Sequence, residues 1–142
     1  GYPGETLEDV RRTVALVREL APDDLGVSVS YPLPGTAFHG RVQAQLGAKT
    51  NWTDSGDLAM MFRGTYDTHF YRRLHALLHR EIALQQRTSD GRQAADLEAR
   101  EALRRDWADL ERTEAAHRND APTRLSPSDA AQPMPDLTQS WN

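Results

Sequence analysis

The sequence contains no cysteine among its 142 residues. A disulfide framework is therefore excluded, and so is any thiolate for metal binding, cluster binding or nucleophilic attack. Long apolar runs are also missing, because none approaches the roughly 18 residues of a membrane span. Lysine occurs only at Lys49, and the other basic residues are arginines. The net charge of −4 is small, so composition favours neither a nucleic acid nor an anionic membrane as partner.

Two glycines and a proline occupy the first four positions, Gly1-Tyr2-Pro3-Gly4. Glycine permits positive φ and close backbone approach, and proline fixes one torsion. Such a turn lets a flat ligand lie against the main chain, although most turns of this kind only connect elements. It is not a P-loop, because no lysine follows Gly4. The chain starts inside this turn and without methionine, so we expect the natural N-terminus to lie upstream.

A helix and then a strand are predicted after the turn. Thr6 and Asp9 fit the start signal of a helix, and apolar residues recur at helical spacing over 7–20. Val27–Tyr31 alternates strictly between apolar residues and small hydroxyls, which predicts a strand with one serine face. Pro32–Thr36 then forms a rigid loop at the end where α/β folds bind ligands. We expect this loop and the N-terminal turn to lie on the same rim.

Most of the sequence after the proline loop is predicted to be helical. Periodicity predicts a short helix over 38–46, a long one over 66–86 and a charged one over 93–117 that docks through Leu103, Trp107 and Leu110. The short apolar run 58–62 fits a strand or a helix. Prolines among polar residues predict disorder from Asn119 onwards.

Several polar residues are further candidates for a site. His75 and His79 stand four apart and could face one metal ion, but histidines beside an apolar stripe are more often solvated. His39 follows the proline loop and could reach a ligand at the rim, although a plain loop histidine is the commoner case. Three aspartates are expected to cap helices, namely Asp54, Asp57 and Asp67.

The predicted strand has no partner within the chain. A single strand leaves its backbone groups unpaired, and even a two-stranded hairpin is marginal in water. The chain is therefore expected to be part of a larger sheet or barrel, or to complete another subunit.

Four sequence segments, in this order, resemble sequences of the radical S-adenosylmethionine (SAM) superfamily: GYPGETLEDV, PDDLGVSVSYPLPGTAF, NWTDSGDLAMMFRGTY and FYRRLHALLHRE. More narrowly, they are similar to its cobalamin-binding branch, which includes the anaerobic magnesium-protoporphyrin IX monomethyl ester cyclases. The resemblance covers roughly residues 1–82.

The resemblance implies an α/β fold, the C-terminal portion of a partial (β/α)6 TIM-like barrel followed by helices and a disordered tail. The end of the barrel, with a helix and the last strand, would occupy residues 1–40, and a helical extension 41–86. Beyond the resemblance we expect a charged helix over 87–118 and the disordered tail over 119–142.

The resemblance also implies a cofactor site and an activity. The residues implied at the adenine side of SAM are Gly1, Tyr2, Pro3, Gly4, Glu5, Ser30 and Tyr31. The full-length parent would use a 4Fe-4S cluster, SAM and in some members cobalamin to form a 5′-deoxyadenosyl radical for methyl transfer or oxidative cyclisation of a small molecule. We expect a cytoplasmic location.

The chain departs from the family in one large respect. The cluster of the family is held by a CxxxCxxC motif, and this sequence has no cysteine. The cluster ligands, any cobalamin domain and the partner strands are therefore expected in the rest of the parent chain, and residues 1–142 alone are not expected to be active. Two alternatives stay open: a non-enzymatic helical module with a hairpin over 66–118, and another αβ-barrel family with a phosphate-binding glycine turn.

Overall fold

The computed structural model describes residues 1–47, 58–87 and 93–124. The elements in these ranges are α1 (Leu7–Leu20), α2 (Ala37–Leu46), α3 (Thr68–Arg87), α4 (Gln93–Arg112) and a 3-10 helix (Glu114–His117). The four predicted helices are confirmed, except that the charged helix ends at Arg112 and a 3-10 turn follows it. None of the helices in the described part of the chain is both long and apolar enough to cross a membrane.

Helix α1 begins and ends on local signals. The Thr6 hydroxyl accepts a hydrogen bond from the Asp9 backbone N–H at 3.3 Å, and the Asp9 carboxylate accepts one from the Thr6 N–H at 2.9 Å. This reciprocal capping box confirms the predicted start signal, with Asp in the position usually held by Glu. At the other end Ala21 adopts a left-handed conformation, φ 42°, and Pro22 follows.

Helix α3 is the centre of the core. Its cap is Asp67, whose carboxylate accepts a hydrogen bond from the Phe70 N–H at 2.8 Å, as predicted for this aspartate. The other two predicted caps, Asp54 and Asp57, lie outside the described residues. Helices α1, α3 and α4 contribute to one cluster of buried side chains, which includes Val10, Val14, Val17, Phe70, Leu78, Ile82, Leu103 and Leu110.

Helices α3 and α4 form an antiparallel hairpin. Arg73 pairs with Asp109 at 2.7 Å near one end, and Arg87 with Asp96 at 3.7 Å near the other. Leu103 and Leu110 are buried between the helices, and Trp107 is half-buried beside them. The predicted docking of the charged helix through these three residues is therefore confirmed.

The segment after the 3-10 helix returns along the residues that precede α3. Backbone hydrogen bonds join Asp67 N–H to the His117 carbonyl at 2.9 Å and Asn119 N–H to the Thr65 carbonyl at 2.9 Å. Thr123 N–H donates to the Arg63 carbonyl at 2.8 Å. The composition predicts disorder from Asn119, but residues 119–124 make these ordered contacts, and residues 125–142 lie outside the described part.

The predicted partial (β/α)6 barrel is wrong. Among the described residues there is no strand and no sheet, and the one β-type contact is an isolated bridge between Tyr66 and Arg118. Residues 24–33 have no regular structure, although Val29 is buried as the alternation predicts. The physical reason is that α1 and α3 supply apolar contacts for Val29 but no backbone ladder. A strand needs hydrogen-bonding neighbours, and the described chain offers Val27–Tyr31 none.

Candidate functional site

The N-terminal turn is a closed β-turn that precedes α1. Glu5 N–H donates to the Tyr2 carbonyl at 3.0 Å, with Pro3 and Gly4 as the central residues. Gly4 has φ +91°, which is the positive φ that the second central residue of a type II turn requires. Sequence alone determines this geometry, because Pro at the first central position and Gly at the second are the preferred pair.

The carboxylate of Glu5 is the polar centre of the site. Its Oε2 accepts hydrogen bonds from the amino group of Gly1 at 2.8 Å and from the Tyr71 hydroxyl at 2.8 Å. Burial raises the pKa of the Tyr71 phenol, and the negative charge of Glu5 raises it further. The phenol therefore stays protonated and donates, which ties the turn to the first part of α3.

A cavity of about 120 Å³ lies between the N-terminal turn, α1, the irregular segment 24–33 and α3. Its lining is mostly aliphatic, with a few polar groups at Glu5, Thr13, Ser28, Tyr71 and His75. An apolar cavity of about 150 Å³ holds a benzene molecule, whereas drug-sized ligands occupy about 300–1,000 Å³. The enclosed space is therefore smaller than one that holds a benzene ring, and an entire SAM molecule does not fit.

The structure brings together only part of the predicted adenine-side residues. Gly1 and Glu5 line the cavity, and so do Val27, Ser28 and Val29 of the segment predicted as a strand. The remaining predicted residues are not part of the lining: Tyr2, Pro3, Gly4, Ser30 and Tyr31.

Those remaining residues have other surroundings. Tyr2 is half exposed and its ring lies 5.5 Å from that of Phe38. Pro3 is buried, and Tyr31 packs against both apolar clusters of the protein. Beside Gly4 there is open space, since no atom lies within 4 Å of the position that a Cβ would take.

The N-terminal turn and the proline loop lie side by side through aromatic contacts. Phe38, at the start of α2, contacts Tyr2 on one side and Phe62 on the other, with ring centroids 5.5 Å and 4.9 Å apart. The loop itself closes through a hydrogen bond from Thr36 N–H to the Leu33 carbonyl at 3.2 Å. His39 donates its backbone N–H to Thr36 and is not among the cavity-lining residues, so nothing connects its imidazole with this site.

Sequence reasoning did not identify Tyr71 and His75 as part of this site. They stand four apart on α3, so they share one face of that helix. The sequence signal that could have identified them was a tyrosine and a histidine beside the apolar stripe of a long helix. What the sequence could not give was the position of Glu5, which is 66 residues away from its partner Tyr71.

The second histidine of α3 lies next to His75. The Nε2 atoms of His75 and His79 are 3.0 Å apart, and the ring centroids 4.2 Å. Burial lowers the pKa of His75, and the neighbouring His79 lowers it further. Within the described ranges no group of three or more His, Cys, Asp or Glu side chains is placed to hold a metal ion.

The implied cofactors fit this chain to different degrees. The cavity has room for only part of an adenine ring, with aliphatic side chains along its walls and Glu5 and Ser28 at polar positions. A 4Fe-4S cluster does not fit, because the sequence supplies no thiolate. Comparison with protein-family models, with curated proteins and with solved structures gave no match to this chain.

Proposed function

We propose that this chain is the C-terminal part of a radical SAM enzyme, of the branch that often uses cobalamin, and that its cavity receives one edge of the adenine ring of SAM. The observation that carries the proposal is that Gly1 and Glu5 of the first sequence segment and Val27–Val29 of the second line one small cavity.

The residues of this chain would bind and position the ligand. The aliphatic side chains of Val14, Val27 and Leu78 would exclude water from the faces of the ring. Glu5, held by the Tyr71 hydroxyl at 2.8 Å, is a fixed acceptor for an amino group. Any cluster that would supply radical chemistry to the parent enzyme would be held by thiolates from outside residues 1–142.

A ligand-binding experiment on untagged residues 1–142 tests the adenine assignment. Saturation-transfer NMR with 5′-deoxyadenosine should show transfer to the adenine protons, and inorganic phosphate should not compete. Val27→Phe, which adds an aromatic ring to the cavity wall, should abolish the transfer. Leu33→Phe is the matched control, because Leu33 is 62% exposed and does not line the cavity.

Three results would contradict the adenine assignment. The first is an absence of transfer in the wild type, and the second is equal transfer in the Val27→Phe variant while circular dichroism shows that both proteins are folded. The third is competition by phosphate, which would favour the alternative that the glycine turn binds phosphate. The enzyme assignment also requires a CxxxCxxC motif upstream in the same reading frame. If this motif is absent there, the enzyme assignment is wrong.

A second candidate is a non-enzymatic helical interaction module. The observation that favours it is the shared core of α1, α3 and α4, in which the helices bury their apolar faces against one another without any sheet in the described part. A folded monomer by size-exclusion chromatography that fails to bind 5′-deoxyadenosine would favour the module. Adenine binding that is lost in Val27→Phe would favour the enzyme.

A further inference from the structure

The histidine pair on α3 has the geometry of a chelating site. His75 and His79 are separated by one helical turn, and their Nε2 atoms face each other at 3.0 Å. At that distance one imidazole donates its N–H and the other accepts it. The two nitrogens are therefore close enough to bind one metal ion, which would lie to one side of the line that joins them.

We propose that His75 and His79 form a two-histidine site for a divalent transition-metal ion of the Cu(II) or Ni(II) type. Two nitrogen ligands at about 2.05 Å from an ion lie about 2.9 Å apart when they bind at right angles, and about 3.35 Å apart in a tetrahedron. The separation of 3.0 Å is close to the right-angled value. Tetragonal coordination by nitrogen and oxygen is the arrangement that Cu(II) and Ni(II) prefer, whereas Zn(II) is usually tetrahedral.

The remaining coordination positions would hold water. No third His, Cys, Asp or Glu side chain in the described ranges joins the pair as a metal ligand. The imidazole that donates its Nε2 proton would move this proton to Nδ1, so that both Nε2 atoms present lone pairs and no net proton is lost. The helix holds the two ligands in place before the metal binds, because the two imidazoles are held next to each other only while α3 is folded.

The pair lies beside the cavity near the N-terminal turn. His75 is half-buried, and both burial and the neighbouring His79 lower its pKa. His75 lines the cavity and His79 does not, so the pair stands at the margin of the cavity.

Titration of the untagged chain with CuSO₄ at pH 7.5, followed by electron paramagnetic resonance, tests the site. We expect one Cu(II) per chain with spin-echo modulation from two imidazoles. His75→Ala and His79→Ala should each weaken binding by about a hundredfold, because a chelating pair becomes a single ligand. His69→Ala is the matched control, since it removes an exposed imidazole from the same helix and should leave affinity unchanged.

A second readout separates the site from adventitious binding. Because only folded α3 holds the two histidines together, Cu(II) should raise the melting temperature of the wild type and of His69→Ala, but not of the His75→Ala/His79→Ala double variant. The proposal is overturned if either single variant binds Cu(II) as tightly as the wild type, if the modulation reports one imidazole, or if His69→Ala is the variant that loses affinity.

Discussion

Gly4 and Gly35 occupy turns of the same kind at two places in the chain. Each follows a proline, each has positive φ, 91° and 85° respectively, and each stands in a turn followed by a threonine that caps a helix. No atom lies within 4 Å of a Cβ built at either position. The glycines are therefore required by the backbone conformation and not by crowding.

Replacing Gly4 with alanine should destabilise the fold by about 1–2 kcal/mol, because a Cβ is strained at this φ. Gly40→Ala is the control: Gly40 lies inside α2 with open space around it, and alanine there should stabilise by about 0.5–1 kcal/mol. Urea denaturation of both variants measures the difference. Equal stability of Gly4→Ala and the wild type would contradict the positive φ at this turn.

Glu114 is a buried carboxylate with two partners. It accepts hydrogen bonds from the Tyr66 hydroxyl at 2.6 Å and from Arg118 at 2.5 Å. Burial alone would raise the pKa of Glu114, but the bonds from Tyr66 and Arg118 outweigh it and lower the pKa below the usual 4.5. Burial and this carboxylate raise the pKa of Tyr66 to about 12, so Tyr66 remains a donor.

The lowered pKa of Glu114 predicts a pH-dependent contribution to stability. Since the folded-state pKa lies below that of the unfolded state, this contribution is complete above about pH 4.5 and is lost as the pH falls through the folded-state value. Glu114→Gln should therefore be less stable than the wild type at pH 7, and the gap should narrow in acid. Urea midpoints at pH 7, 5 and 3.5 measure it.

Tyr2→Phe is the control for the Glu114→Gln experiment, because it removes a polar group from a side chain that is 49% exposed. Its stability should follow that of the wild type at every pH. A gap between wild type and Glu114→Gln that stays constant from pH 7 to pH 3.5 would show that folding does not lower the pKa of Glu114.

At the scale of elements, α4 is held by its apolar face more than by its charges. The ion pair between Arg80 and Asp106 joins α3 and α4 through side chains about half exposed, and exposed pairs contribute little because water screens them. Leu103 and Leu110 are 4% and 1% exposed. Burial of these leucines is therefore the main attachment of the charged helix.

Leu110→Ala should destabilise the protein by about 2–5 kcal/mol, since it removes a fully buried side chain and leaves a cavity. The matched control on the same helix is Leu97→Ala, because Leu97 is 57% exposed and its loss should cost less than about 0.5 kcal/mol. Chemical denaturation compares the two. If both variants lose the same stability, α4 is not docked through this face.

At the scale of the whole molecule, Trp107 stands where three helices meet. Its indole N–H donates to Glu81 of α3 at 3.0 Å, and the guanidinium of Arg18 from α1 lies 5.6 Å from the ring centroid. Leu103 and Leu110, on the same helix α4, belong to the shared core. The fluorescence of Trp107 should therefore report on all three helices at once.

In a Trp52→Phe/Trp141→Phe variant, which keeps Trp107 as the single tryptophan, fluorescence and far-ultraviolet circular dichroism should give the same urea midpoint. One cooperative core predicts coincident transitions. A Trp107 transition at clearly lower urea would mean that α4 separates before α1 and α3 unfold.

The sequence by itself determined the local features of this protein. Helix positions, the Thr6 and Asp67 caps and the burial of Val29 follow from spacing and from side chains within a few residues of each other. The absence of cysteine likewise settled that residues 1–142 cannot bind a cluster through thiolates.

Only the tertiary structure decided the features that join distant residues. Alternation over 27–31 predicted a strand, but a strand depends on a neighbour, and none lies beside it in the described chain. The Glu5–Tyr71 contact spans 66 positions and the Arg11–Glu111 pair spans 100. Periodicity shows which face of a helix is buried, but it carries no information about what that face meets. The cavity beside the N-terminal turn therefore became visible only once the helices were packed.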